Sequence, residues 1–132
     1  MLAKKYSVIM KRNSLPPSRN EILRNVVDKD AILCSLNERI DKEVMKKAGT
    51  NLKVISTLST GYDHIDVKEA KKRGIRITFT GDVLTEATAD LTFALILAIS
   101  RKIVLADNFI RQMKWKTGWS PDLFLGSNVY GK

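Results

Sequence analysis

The stretch NLKVISTLSTGYDHIDVKEAKKRGIRITF, from Asn51 to Phe79, reads as strand, loop, helix and strand in succession. Val54 to Leu58 and Ile75 to Phe79 are near strand length and rich in branched residues, so each reads as a buried strand. Between them, Asp66 to Arg73 is predicted to be helical. It opens with Asp-x-x-Glu, in which Asp66 can cap the first amides and Glu69 can reach back, and it ends at Gly74. The same alternation extends toward the N-terminus. Tyr6 to Met10 and Ala31 to Cys34 read as two further strands. Arg19 to Val27 puts Ile22, Leu23, Val26 and Val27 on one helical face after Pro16, Pro17 and a capping Ser18. Ile40 to Ala48 repeats the pattern with Ile40, Val44, Met45 and Ala48, starting near Asn37 and ending at Gly49. Strands alternating with helices predict an α/β fold, a parallel sheet with flanking helices.

From Glu86 to Gln112 the pattern changes. Leu91, Phe93, Leu95, Leu97, Ile99, Ile103 and Leu105, with the apolar residues between them, cover nearly the whole circumference of a single long helix. One sheet hides one stripe of a helix, so this one asks for a second body to cover it. Trp115 to Lys132 has no regular period and reads as an extended arm with short turns. The expected division is therefore 1–85, a sheet domain, and 86–132, a helix and arm.

Apolar residues make up 44% of the 132 and charged residues 28%, the balance of an ordinary globular chain able to form a core. Leu91 to Ile99 is about half of what a bilayer crossing needs, and no signal peptide is legible at the start. The single cysteine, Cys34, cannot form an internal disulfide, which favours a reducing compartment and a cytoplasmic location. The net charge is +9, from 23 Lys and Arg against 14 Asp and Glu. That raises nucleic acid as a partner, but the basic residues come in small dispersed groups, Lys46-Lys47, Lys71-Lys72-Arg73 and Arg101-Lys102, as on a solvated surface.

The loop Leu58 to Asp66 leaves the carboxyl end of a strand, where ligands sit in open parallel sheets. Gly61 lets the backbone approach a ligand, and the consecutive amides of Thr60 and Gly61 can form a small anion-binding nest. On these residues alone a plain turn is as good a reading. His64, the only histidine, lacks an evident orienting partner for base catalysis. Asp63 and Asp66 read as turn and cap residues, Cys34 as an inert core residue, and Trp115 and Trp119 as interface aromatics. No metal-ligand pattern occurs.

The run from Asn51 to His64, followed by Lys72-Arg73-Gly74-Ile75, Asp82-Val83-Leu84-Thr85 and Ala87-Thr88-Ala89-Asp90, resembles the D-2-hydroxyacid dehydrogenases, and within them the glyoxylate/hydroxypyruvate reductases. The match runs from about Arg19 to Lys132. The resemblance implies a flavodoxin-like substrate domain in which amides at Thr60 and Gly61 hold a 2-oxoacid carboxylate and Leu36 lines the same pocket. It also implies an interdomain helix with Thr88 facing an NAD(P) cofactor. The arm that follows would be a dimerisation arm, with Trp119 pointing toward the neighbouring subunit's active site.

Departures from the family are equally informative. Members begin with a strand and helix ahead of the segment matching Tyr6, and they continue beyond the position of Lys132 into a Gly-x-Gly-x-x-Gly turn. Their catalytic Arg, Glu and His lie in that later part, so the resemblance implies an incomplete piece, with no catalytic residue and no cofactor held by this chain alone. Gly81 stands where Pro is usual, and Thr60 where a small apolar residue is common. The leading expectation is a fragment of an NAD(P)-dependent 2-oxoacid reductase, inactive alone and forming a homodimer or larger assembly. The alternatives are a non-catalytic dimerising module and, on charge only, a nucleic-acid-binding protein.

Overall fold

The computed structural model describes residues 4–11 and 15–132, which divide into two compact units, Met1–Asp82 and Val83–Lys132. In the first unit the strands are β1 (Ala31–Cys34), β2 (Val54–Thr57) and β3 (Arg76–Thr78), and the helices are α1 (Arg19–Asn25), α2 (Lys42–Ala48) and α3 (Val67–Lys72). The strands form one parallel sheet in the order β1-β2-β3. Parallel neighbours require crossovers, and α2 and α3 supply them.

The register places Ile32, Ile55 and Ile77 side by side, with Cys34 beside Thr57. Side chains alternate across a strand, so this set shares one face, the face on which the core lies. Val44, Met45 and Ala48 of α2, Ala70 of α3, and Ile40, Leu52, Ile65 and Ile75 from the connections complete the core. Ile55, Val44 and Met45 are fully enclosed, each contributing about 1.5–3 kcal/mol of burial. On the opposite face Leu33 is 56% exposed, and the hydroxyls of Ser56 and Thr78 pair at 2.7 Å.

Helix starts follow the sequence signals in part. Ser18 caps α1, and Glu21 reaches back to the Ser18 amide at 2.7 Å, completing a capping box. Asp41, rather than a residue near Asn37, caps α2; Ile40 is drawn out of the helix by a parallel bridge to Ile65. Asp66 caps α3 as expected, but Glu69 does not reach back. Its carboxylate takes the Arg73 guanidinium at 2.7 Å instead, a partner one turn along the same helix.

Two larger expectations are overturned as well. Tyr6 to Met10 is no strand: its residues are exposed and join no ladder among the described residues, and branched composition alone cannot make a strand without a neighbour to pair with. The single helix expected over 86–112 is two helices, α4 (Thr85–Ser100) and α5 (Ile103–Arg111). Between them Lys102 takes a left-handed conformation, φ 53°, which ends one helix and starts the next.

In the second unit the chain beyond α5 folds back: the Ser127 amide donates to the Ser100 carbonyl at 2.8 Å, and Phe124 meets Phe109 edge-on at 5.1 Å. No residue of α4 or α5 is buried. Among the described residues no helix is long and apolar enough to cross a membrane.

Candidate functional site

Because the three strands are parallel, the loops leaving their carboxyl ends lie along one edge of the sheet. The loop after β1 carries Leu36, the loop after β2 carries Thr60 and Gly61, and the loop after β3 carries Phe79 and Thr80. Three of the five expected site residues, Leu36, Thr60 and Gly61, are thus gathered on adjacent loops of one edge. Thr88 lies in the first turn of α4 and Trp119 in the arm after α5, both in the second unit.

The β1 loop is held by Glu38, whose carboxylate accepts from both the amide and the hydroxyl of Ser35, at 2.6 and 2.8 Å. Leu36, next to this clamp, is 67% exposed. The β2 loop is tied to both neighbours. Leu58 donates its amide to the Cys34 carbonyl at 3.0 Å, Ser59 accepts from the Thr80 amide at 3.1 Å, and the rings of Tyr62 and Phe79 meet at 5.2 Å.

Inside the β2 loop runs a chain of side-chain hydrogen bonds. His64 Nε2 lies 3.0 Å from Thr57 Oγ1. Thr57 Oγ1 lies 2.7 Å from Ser59 Oγ, and Ser59 Oγ donates to the Gly61 carbonyl at 2.6 Å. Thr57 is only 4% exposed, a polar residue within the core face of β2. Cys34 Sγ sits 3.8 Å from His64 Nε2, and burial pushes its thiol pKa up, so it stays protonated. The core reading of Cys34 agrees with that environment.

Among the described residues, neither the Thr60 nor the Gly61 amide donates a hydrogen bond within the chain. At Gly61 an added Cβ would meet only Asp63 Oδ2, at an ordinary 3.9 Å. These two donors are therefore open at the strand ends, the arrangement an anion requires.

In the second unit, the Thr88 hydroxyl donates to the Leu84 carbonyl at 2.9 Å, so only its lone pairs remain to meet a ligand. Trp119 is 80% exposed. Among the described residues no cluster of His, Cys, Asp and Glu could hold a metal ion. A shallow groove bordered by Arg24, Glu43, Lys46 and Lys47 receives no residue from the strand-end loops.

Sequence reasoning passed over Thr57 and gave His64 no partner. The signal was slight: a hydroxyl at the last residue of a buried strand, seven residues before the only histidine.

Residues 1–124 match the family described as D-isomer specific 2-hydroxyacid dehydrogenase, catalytic domain. The glyoxylate reductase of Thermofilum pendens is 53% identical over 95% of the chain, which spans 37% of that protein's length. The crystal structure of the TT0316 protein from Thermus thermophilus superposes with a TM-score of 0.81 at 43% identity, covering 88% of this chain and 37% of that one. An acyclic imino acid reductase in complex with NADPH and D-Arg superposes with a TM-score of 0.72 at 29% identity, over 86% of this chain and 35% of its own.

Proposed function

Because the chain belongs to the D-isomer specific 2-hydroxyacid dehydrogenases, we propose that its Leu58 to Asp66 loop holds the carboxylate of a small 2-oxoacid, glyoxylate or hydroxypyruvate, for reduction to the 2-hydroxyacid. The observation that carries this reading is the pair of open amides at Thr60 and Gly61. Among the described residues nothing demands glycine at 61, since a Cβ there meets no crowded neighbour. The demand for glycine then comes from a ligand that must approach the backbone.

In this reading the first unit is part of a flavodoxin-like substrate domain, and Leu36 forms the apolar wall beside the carboxylate. NADH or NADPH supplies the hydride. Thr88 faces the cofactor, and the α4 helix with the following arm joins two copies so that Trp119 reaches the neighbour's site. The resemblance supports these last assignments, and the lone buried Cys34 favours a cytoplasmic setting. Hydride transfer also needs an acid-base pair within reach of the carbonyl, and the strand-end loops of this chain offer none. His64 Nε2 is engaged with Thr57. The chain alone is therefore expected to bind without turning over.

Calorimetric titration with glyoxylate tests the reading. Saturable binding is expected, weakened about tenfold or more in Gly61→Ala, with thermal stability unchanged because the new methyl has room. Equal binding by both proteins would remove the loop from the site, and steady oxidation of NADH by the isolated chain would contradict the expectation that it binds without turning over.

A further inference from the structure

The proton count along the loop's hydrogen-bond chain fixes its direction. A hydroxyl has one proton to give. Ser59 gives its proton to the Gly61 carbonyl, so toward Thr57 it can only accept, and the Thr57 proton goes to Ser59. With its proton committed, Thr57 Oγ1 must accept from His64, and His64 must carry a proton on Nε2. The surroundings agree: the Cys34 thiol points its own proton at the Ser56 carbonyl, 3.5 Å away, leaving its sulfur to face Nε2 as an acceptor. The Ser59 amide also approaches Thr57 Oγ1, at 3.4 Å, again as a donor.

We propose that His64 is a positioning residue for the oxoacid loop: as an Nε2–H donor it drives a one-way relay through Thr57 and Ser59 that pins the Gly61 carbonyl to Ser59 and leaves the Thr60 and Gly61 amides free for the ligand. The assignment of those amides to a carboxylate rests on the function proposed above; the relay and its direction rest on distances alone. The reason a relay suits this place is cooperative polarisation. Each bond in a chain of aligned hydroxyls strengthens the next, and Thr57, the first hydroxyl after His64, is shielded from water. The His64 end of the relay is anchored as well: the His64 carbonyl accepts from the Ile40 amide at 2.8 Å, and the Asp66 amide two residues on donates to the Ile40 carbonyl at 2.9 Å. The imidazole therefore stands on the sheet connection while its ring nitrogen sets a peptide three residues earlier.

The test uses the whole 132-residue chain labelled with ¹⁵N. The ring nitrogens of His64 are expected to show Nε2 protonated; a neutral ring protonated on Nδ1 alone would overturn the proposal without any variant being made. Thr57→Val keeps the shape and removes the relay, whereas Thr57→Ser restores the hydroxyl. The Gly61 and Tyr62 amide resonances are expected to move in Thr57→Val and to return in Thr57→Ser. Glyoxylate affinity should fall about tenfold in the first and stay within about twofold in the second. Unmoved Gly61 and Tyr62 resonances in Thr57→Val would also overturn it. If glyoxylate fails to bind the unaltered chain while the tautomer and the resonance shifts come out as expected, the relay stands and the carboxylate assignment is what falls.

Discussion

Gly126 lies directly against the Ser100 carbonyl, backbone to backbone, in a contact where any Cβ at 126 would overlap both that oxygen and the Arg101 Cα. The adjacent Ser127 amide donates to the same carbonyl at 2.8 Å, satisfying an acceptor that the end of α4 leaves without a helical partner. The arm is thereby fastened to the helix end. Gly126→Ala is expected to lower the stability of the second unit by about 1–3 kcal/mol, as overpacking against rigid backbone does, and to increase hydrogen exchange at the Ser127 amide. Unchanged protection at Ser127 would show the contact to be absent in solution.

The break at Lys102 gives a substitution with opposite expected signs for the two readings of this region. In a continuous helix, Lys102→Gly would cost about 1 kcal/mol. At a left-handed residue, glycine removes a steric penalty of about 1–2 kcal/mol and returns part of that as lost backbone entropy. Lys102→Gly is therefore expected to leave thermal unfolding unchanged or slightly raised. A clear loss would restore the single helix.

The capping box of α1 predicts an acid-sensitive start to the fold. The Ser18 amide, and after it the ammonium of Lys11 3.1 Å away, holds the Glu21 carboxyl down at about 2, below its ordinary 4.5. A carboxyl whose folded value is depressed adds stability above its unfolded value and loses it as pH falls through the folded one. The contribution should be whole above pH 4.5 and fade toward pH 2. Glu21→Gln is expected to flatten this part of the stability profile, read from denaturant midpoints between those limits. Parallel profiles for the two proteins would contradict the assignment.

Much of the first unit was legible because its signals are local. Ala31–Cys34, Val54–Thr57 and Arg76–Thr78 sit within apolar runs bounded by helix patterns, and Ser18 and Asp66 cap where their side chains allow. Tyr6 to Met10 misled because it has the composition of a strand but no ladder, and pairing is a property of two segments. The turn at Lys102 was hidden because apolar periodicity reports faces and not backbone dihedrals, and lysine is no marker of a left-handed residue. At the site, Thr60 and Gly61 could be read from a loop at the carboxyl end of a strand, and Leu36 from the family resemblance. The bond from His64 to Thr57 could not, since it depends on the path the loop takes through space.

Neither α4 nor α5 has a buried residue, and Leu91, Phe93, Leu95, Leu97 and Ile99 are all exposed. Covering side chains of this size is worth about 1.5–3 kcal/mol each. With a second copy as the proposed cover, sedimentation equilibrium at micromolar protein should give a dimer or larger assembly, and Leu95→Asp should shift it toward monomer. A folded monomer, indifferent to Leu95→Asp, would show that no second copy covers the helix.

The carboxylate reading of the β2 loop is tested most directly by the ¹H–¹⁵N spectrum of the chain in rising glyoxylate, with its methyl ester, which has no carboxylate, as the control. Saturable shifts are expected at the Thr60 and Gly61 amides and on neighbouring Leu36, with the ester producing none of them. Shifts that leave Thr60 and Gly61 untouched, or that gather instead along the basic groove at Arg24, Lys46 and Lys47, would contradict it.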